Sequence, residues 1–342
     1  MSDSIFDLEN KKGALHLIEK TMGYTVSGAL RAAALLKVAD LLKDGPKNIN
    51  ELAKETNTVP VVLNRILRIL ASENIFHEED GLNYSLAPAG HFLISDHKYT
   101  LHDSILMLTD ETFWLPVGEV VESLKDNPVF EHIYGQSFYE YWKDEKNIKE
   151  DHDFQKGMNS LSKIENYFIV KNYEFPKNKI VTDIAGGLGG LLLEVLKNNP
   201  TLKGQLFDQS HVLARTRLTE LEDDSRWKLI EGDLFGDYPE SDLYLIKYII
   251  HDWNNTSAVT FFKNFRKAMK PDSKVLIIEP VIIKKNEHDL AKYVDVLCMS
   301  AFPESGERTV EEFEKLLDQA DLKINKIIKT ETYNVILEVV IK

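Results

Sequence analysis

Cysteine is almost absent from this chain: Cys298 is the one thiol in 342 residues. It cannot close an internal disulfide, which fits a reducing compartment, and it is too little for a cysteine-based zinc site. No uncharged apolar run reaches the roughly 18 residues that a spanning helix needs. The opening MSDSIFDLENKKG has no apolar core of signal-peptide length, so the expected location is cytoplasmic. Positive charge is outnumbered, with 41 Lys and Arg against 55 Asp and Glu, a formal net charge of −14. That balance opposes broad attraction to phosphate backbones or anionic lipid, so neither nucleic acid nor membrane is an expected partner. Low-complexity tracts, fixed-period repeats, HExxH and EF-hand loops are also missing, and no metal is expected.

What remains is an ordinary globular composition, 43% apolar and 28% charged, at a length that favours two domains. Residues 29–45, ALRAAALLKVADLLKDG, predict one buried apolar helix stopped at Gly45-Pro46. A short helix follows at 48–56, capped by Asn48 or Asn50, and an amphipathic one at 61–72. Ile75-Phe76 and Tyr84-Ser85-Leu86 then flank a tight turn at 78–81, as in a hairpin. Three helices and a hairpin make a winged-helix pattern. Its candidate recognition helix offers only Arg65 and Arg68 among Leu63, Ile66, Leu67, Ile69 and Leu70, so a core claims most of its surface. A structural or dimerising role is the better reading than DNA binding, with the helix at 29–42 suited to a subunit contact.

An aromatic-rich helical stretch occupies about 101–173, and from Lys179 onward short apolar strands alternate with helices, including one over 212–221. This pattern predicts an α/β fold with a parallel sheet covered on both faces. Residues 323–330 and 334–341 read as a final hairpin, which makes one edge strand antiparallel. The expected division is a winged-helix-like dimerisation domain over 1–105, a helical connector contributing to a flat-ligand pocket over 106–173, and a Rossmann-like domain with a mostly parallel seven-stranded sheet over 174–342.

Ile180–Ile184 runs into Ala185-Gly186-Gly187-Leu188-Gly189-Gly190 and then a helix, a strand-to-helix turn whose glycines let a ligand approach the backbone. Asp208 follows the second strand, nineteen residues after Gly189, where a carboxylate can accept from both hydroxyls of a ribose. Asp233 ends the third strand, placed to receive an adenine amino group while Leu234 or Phe235 packs on the ring. Together they outline an adenosine-shaped site. A nucleotide-dependent oxidoreductase could use such a turn, but the turn has no GxGxxG match.

The series DIAGGLGG, FDQ, EGDLF, LIKYIIHDW and GERT, in this order and spacing, resembles the plant caffeic-acid-type, metal-independent O-methyltransferases and their bacterial relatives that decorate polyketides and phenazines. The resemblance covers almost the whole chain, including the winged helix that builds the homodimer in that family. It implies S-adenosyl-L-methionine as cofactor, held by Asp183, Gly186, Gly187, Gly189, Asp208, Asp233, Leu234, Phe235, Lys247 and Ser162, with Trp253 beside the adenine. It also implies that His251 is the general base, flanked by Glu279 and Glu307, which fix its imidazole. A phenol, with a pKa of about 10, is a poor nucleophile until histidine takes its proton, after which it attacks the methyl carbon in line. For the acceptor the resemblance points to Phe154, Met158, Asp295, Cys298, Met299 and Phe302, with Trp114 added. At Phe302 the plant enzymes commonly carry asparagine, so this chain is expected to take a flatter or larger acceptor, a phenolic or polycyclic metabolite. The alternatives are C- or N-methylation, or a non-methylating reaction, on the same cofactor-binding fold.

Overall fold

The structure is a computed structural model that describes residues 8–125, 129–149, 152–283, 285–302 and 306–342. These form two compact units, one from 1–114 and 144–161, the other from 115–143 and 162–342, so the stretch 106–173 is divided between them.

The first unit begins with helices α1 (Leu8–Thr21), α2 (Gly23–Leu35) and α3 (Val38–Leu41). The continuous helix expected over 29–45 is therefore interrupted. Lys37 takes a left-handed φ of +50°, which ends α2 and lets Val38 and Ala39 turn into the core. Strand β1 (Lys47–Asn48), α4 (Ile49–Glu55), α5 (Pro60–Ser72), and strands β2 (Phe76–Glu79) and β3 (Asn83–Leu86) complete the winged-helix pattern. Asn48 caps α4 by accepting from the Asn50 backbone at 3.1 Å, and Pro60 stands in the first turn of α5. The three strands form one antiparallel sheet ordered β1-β3-β2. Leu63, Leu67 and Leu70 of α5 are buried with Phe76, Tyr84 and the apolar side of α2 in one cluster, as expected of a helix that serves a core.

The stretch 29–42 is divided between core and surface, with Leu35 exposed and Leu30 and Leu36 partly buried. Ala29, Ala33, Val38, Ala39 and Leu42 are inside the unit's own core. Apolar residues more than half exposed in this unit include Leu15, Leu17, Ile18, Met22 and Tyr24 before that stretch and Val59, Val61 and Val62 after it.

Helices α6 (His102–Leu108), α7 (Glu111–Gly118), α8 (Val120–Ser123), α9 (Val129–Tyr134), α10 (Phe138–Lys143) and α11 (Phe154–Asn172) follow. The second unit is then built on β4 (Ile180–Ile184), α12 (Gly190–Asn198), β5 (Lys203–Asp208), α13 (Ser210–Leu213), β6 (Trp227–Glu231), β7 (Leu243–Lys247), α14 (Asn255–Ala268), β8 (Lys274–Ile282), α15 (Leu290–Ala301), β9 (Arg308–Thr309), α16 (Val310–Asp318), β10 (Leu322–Lys329) and β11 (Asn334–Ile341).

Seven strands run in the order β10-β11-β8-β7-β4-β5-β6, with the two-residue β9 added beside β8. Pairs among β4 to β8 are parallel, and β11 is antiparallel to both neighbours. Side chains alternate between faces as strand geometry requires. Val181, Leu243 and Leu245 face α12, while Ile184, Tyr244 and Ile246 face α14 and α16. At roughly 1.5–3 kcal/mol per fully buried large side chain, these two layers dominate what holds the unit together.

Two expectations fail here for local reasons. The antiparallel strand is β11, one in from the edge, because its run NVILEVVI is buried for six residues. β10 takes the edge with Lys323, Lys326 and Lys329 exposed, a composition that discourages further strand pairing. The helix expected over 212–221 stops at Leu213, because the Arg217 N–H leaves the helical path to donate to the Leu188 carbonyl at 2.8 Å.

Candidate active site

From β4 the chain steps to β5 and β6 on one side, then crosses to β7 on the other, so the strand order reverses between β4 and β7. A crevice forms at the carboxyl ends of strands at such a point. Gly186 lies on its wall: a Cβ there would sit 2.5 Å from the Asp183 carboxyl carbon and 2.7 Å from Leu206 Cδ1. Gly187 and Gly189 take φ of +59° and +80°, which suits glycine, and Gly189 caps α12. Asp208 at the end of β5 accepts from the Gly187 N–H at 2.9 Å and from its neighbour Gln209 at 2.7 Å. Asp183 is buried with one oxygen unpartnered. Burial pushes its carboxyl up to about 7, opposed by a backbone bond at Leu192 and by the charge of Lys247.

Beyond β6, Asp233 is exposed and accepts from the Phe235 N–H at 2.8 Å. The Phe235 ring is partly exposed and meets Trp253 edge-on at 5.0 Å, while Leu234 packs against the core. Lys247 ends β7 on the face of α11, where its Nζ lies 2.7 Å from Glu165, 3.1 Å from Asn166 and 3.3 Å from Ser162.

The loop after β7 carries His251, which is 9% exposed. Its Nδ1 bonds Glu307 Oε1 at 2.8 Å, and Nε2 lies 3.4 Å from Asp252. Glu279 does not touch the ring. One of its oxygens accepts the backbone N–H groups of Ile249, Ile250 and His251 at 3.0, 2.6 and 3.2 Å, so it holds the loop that presents the imidazole. Burial opposes a charge on His251, but the bond to Glu307 and the fields of Glu279, Asp252 and Glu307 outweigh it and hold the pKa at about 9. Burial raises Glu279 to about 7 against the field of the histidine.

Asp295 of α15 accepts the Glu307 N–H at 2.9 Å, and Cys298 is buried, its thiol pushed up by burial and surrounding carboxylates. Among the described residues, donor atoms of His251, Cys298 and Glu307 lie within 4.8 Å of one another, the one such cluster that could hold a metal. Phe302 packs on Phe138 at 4.7 Å and Tyr139 at 5.3 Å. Tyr139 donates to Asp252 at 3.1 Å, which brings an aromatic wall to the Nε2 side of His251. Met299 is half-buried on the same helix. Phe154, Met158 and Trp114 belong to the first unit. Phe154 packs near Phe113, Met158 is half-buried, and Trp114 lines a cavity of about 590 Å³ with Arg31, Asp110 and His152.

Residues 114–323 match the O-methyltransferase domain, and residues 18–96 match the O-methyltransferase dimerisation domain. The chain belongs to the O-methyltransferase family. It is 31% identical over 330 residues to the phenazine O-methyltransferase PhzM of Lysobacter antibioticus, covering 94% of this chain and 95% of that one. It is 30% identical to O-methyltransferase SfmM3 of Streptomyces lavendulae, covering 88% and 92%. Among solved structures it superposes on CalO1, a methyltransferase of calicheamicin biosynthesis in its S-adenosylhomocysteine-bound form, with a TM-score of 0.92 at 35% identity, covering 98% of this chain and all of that one. This O-methyltransferase is thus an enzyme that uses S-adenosylmethionine. No helix among its described residues is long and apolar enough to cross a membrane.

Several residues of the O-methyltransferase site escaped sequence reasoning. Arg308 donates to the Ile250 carbonyl at 2.9 Å, the Trp253 carbonyl at 2.6 Å and Asn255 at 3.0 Å, clamping the histidine loop. Its place beside Glu307 in GERT was the available signal. Glu165 and Tyr139 meet the site only through tertiary packing, and no local spacing marks them, whereas Asp252 stands next to His251 in the motif LIKYIIHDW.

Proposed function

We propose that the enzyme transfers the methyl group of S-adenosylmethionine to a hydroxyl of a small aromatic metabolite, with His251 as general base. The observation that carries this reading is the buried His251–Glu307 pair at 2.8 Å. With Nδ1 committed to a carboxylate, Nε2 is the nitrogen that can accept a proton, beside the Phe138–Tyr139–Phe302 wall suited to a flat ring.

The crevice residues fit the cofactor. Glycine at 186 leaves the Asp183 carboxyl and Leu206 close against the turn where any side chain would collide with them, Asp208 is oriented by backbone donors at the end of β5, and the carboxylates around the site suit a cationic ligand without phosphate. We assign Asp183, Gly186, Gly187, Gly189, Asp208, Asp233, Leu234, Phe235, Lys247, Ser162 and Trp253 to holding it. The bound group supplies an electrophilic methyl on a positively charged sulfonium. Glu307 selects the tautomer of His251, Glu279 and Arg308 fix the loop, and the base draws the hydroxyl proton as the oxygen is held in line. A base near 9 is well matched to a phenol near 10. Asp295, Cys298, Met299 and Phe302 are assigned to the acceptor pocket; Phe154, Met158 and Trp114 are assigned to the acceptor on the family resemblance alone.

The dimerisation-domain match and the uncovered apolar residues of α1 support a homodimer through the N-terminal domain. We keep 1–105 as the dimerisation domain and 174–342 as the Rossmann-like domain, with 106–173, which the two units share, as the connector.

The test is calorimetric titration with S-adenosylhomocysteine, followed by mass-shift screening of phenolic acceptors with the wild type and His251→Ala. Tight binding, a mass gain of one methyl, and a loss of about 10²–10⁴ in rate for the variant are expected. Retained rate in His251→Ala would sink the general-base role.

A further inference from the structure

Between Lys247 and His251 lies a buried assembly to which the chemistry above gives no part. Glu165 of α11 is 1% exposed and divides its carboxylate. Oε2 lies 2.7 Å from Lys247 Nζ, and Oε1 accepts the Tyr248 hydroxyl proton at 2.5 Å. The Tyr248 oxygen accepts from Asn334 Nδ2 at 2.8 Å and meets the Tyr333 hydroxyl at 3.1 Å. Burial and the Glu165 charge push the Tyr248 phenol well above its ordinary range, so it stays a donor to that carboxylate.

The backbone of Tyr248 is unusual, with a φ of +56° in the left-handed region. A bulky residue adopts that conformation only where its surroundings impose it, and such strain concentrates at functional sites. Here it turns the Tyr248 ring toward His251. The two rings stack with centroids 5.4 Å apart and planes 28° from parallel.

A single hydrogen bond from Nδ1 to Glu307 fixes one corner of the imidazole but leaves the ring free to tilt about that bond. The direction of Nε2 depends on the tilt, and small misplacements of a reacting group cost large factors in rate. The Tyr248 ring supplies the missing constraint by covering one face of the imidazole, and its own ring is pinned at the far end by three hydrogen-bonding partners.

We propose that Tyr248 is a positioning residue for His251, anchored by Glu165, so that one buried carboxylate orders both the cofactor-side Lys247 and the plane of the base. The inference rests on the reading of His251 as the base. Because Glu165 serves both ends and Tyr248 only one, the two residues should fail differently: loss of the tyrosine hydroxyl lowers kcat, whereas loss of the Glu165 charge also weakens the cofactor side.

The experiment uses the full-length enzyme with Tyr248→Phe, Tyr333→Phe, Glu165→Gln and His251→Ala. One readout is the downfield Nδ1–H proton resonance of His251 in the S-adenosylhomocysteine complex, assigned by its loss in His251→Ala. The other is kcat and KM with the phenolic acceptor found by the mass-shift screen. Tyr248→Phe should speed exchange of that proton with water and lower kcat by about tenfold, the rate equivalent of one buried hydrogen bond, with the KM for S-adenosylmethionine within about twofold. Tyr333→Phe, which keeps the Tyr248–Glu165 bond but removes the Tyr333 hydroxyl from both Tyr248 and Glu165, should shift both readouts in the same direction by less. It keeps the inference testable if Tyr248→Phe does not fold. Glu165→Gln should lower kcat and raise the KM for S-adenosylmethionine. If the proton and kcat are unchanged in the folded Tyr248 and Tyr333 variants while His251→Ala is inactive, the positioning role is overturned and the base survives. If His251→Ala keeps its rate, the base reading fails first.

Discussion

At the residue scale, the sharpest expectations concern the charge around His251. Glu307 favours the imidazolium through both its hydrogen bond and its field, so it raises the pKa of the base. A group that must lose its proton before it can accept one works only above that pKa. In Glu307→Gln the rising limb of kcat against pH should therefore move to lower pH, and the plateau should fall because the base is weaker and its tautomer less well selected. An unmoved limb in the pH-rate profile would show that the pair does not govern the titration. Gly186→Ala makes a steric prediction: with 2.5 Å to the Asp183 carboxyl, the new methyl forces that side chain or the backbone to move. S-adenosylhomocysteine affinity should drop by an order of magnitude or more in calorimetry, at about 1.4 kcal/mol per factor of ten.

At the scale of elements, the sheet reads more directly from the sequence than the helices do. β4, β7 and β11 fall where apolar runs put them, because burial on both faces leaves little else those residues can do. Helices with mixed composition are decided by their ends. α2 breaks at Lys37 and α13 stops early, in each case at a backbone feature with no composition signal. α16 has a strong local specification: Thr309 and Glu312 form a reciprocal capping box immediately after Glu307 and Arg308. Thr309→Ala should cost about 1 kcal/mol, seen as a melting temperature about 2–4 °C lower for a unit of this size. A shift under half a degree would show that the strand pairing of β9 alone holds that turn.

For the whole molecule, the groups with raised pKa values set the response to pH. Asp183 and Glu279, at about 7, and His251, at about 9, all bind protons in the folded state that their unfolded counterparts would release. Their contribution is fully present below the unfolded values, and it is lost for the carboxyls as pH rises through about 7 and for the histidine through about 9. The cofactor-free enzyme should thus melt at progressively lower temperature between pH 5 and 9. A flat or rising trend in a buffer series would contradict the assigned shifts. If α1 covers its apolar residues against a second copy, Leu15→Asp with Ile18→Asp should convert a dimer to a monomer, measured by light scattering after size exclusion.

The sequence by itself determined the class of fold, the glycine turn and the carboxylates at successive strand ends, which are local features set by hydrophobic period and by which residue types fit a strand-to-helix turn. His251, Glu279 and Glu307 were marked only by the resemblance of their motifs to the family. Only the tertiary structure decided that Glu307 reaches the imidazole while Glu279 holds backbone, that β11 lies inside the edge, and that Glu165 spans Lys247 and Tyr248. Each of these depends on which distant segments the packed sheet brings within hydrogen-bonding distance, and residues 83 positions apart, as Glu165 and Tyr248 are, carry no shared period for a sequence to reveal.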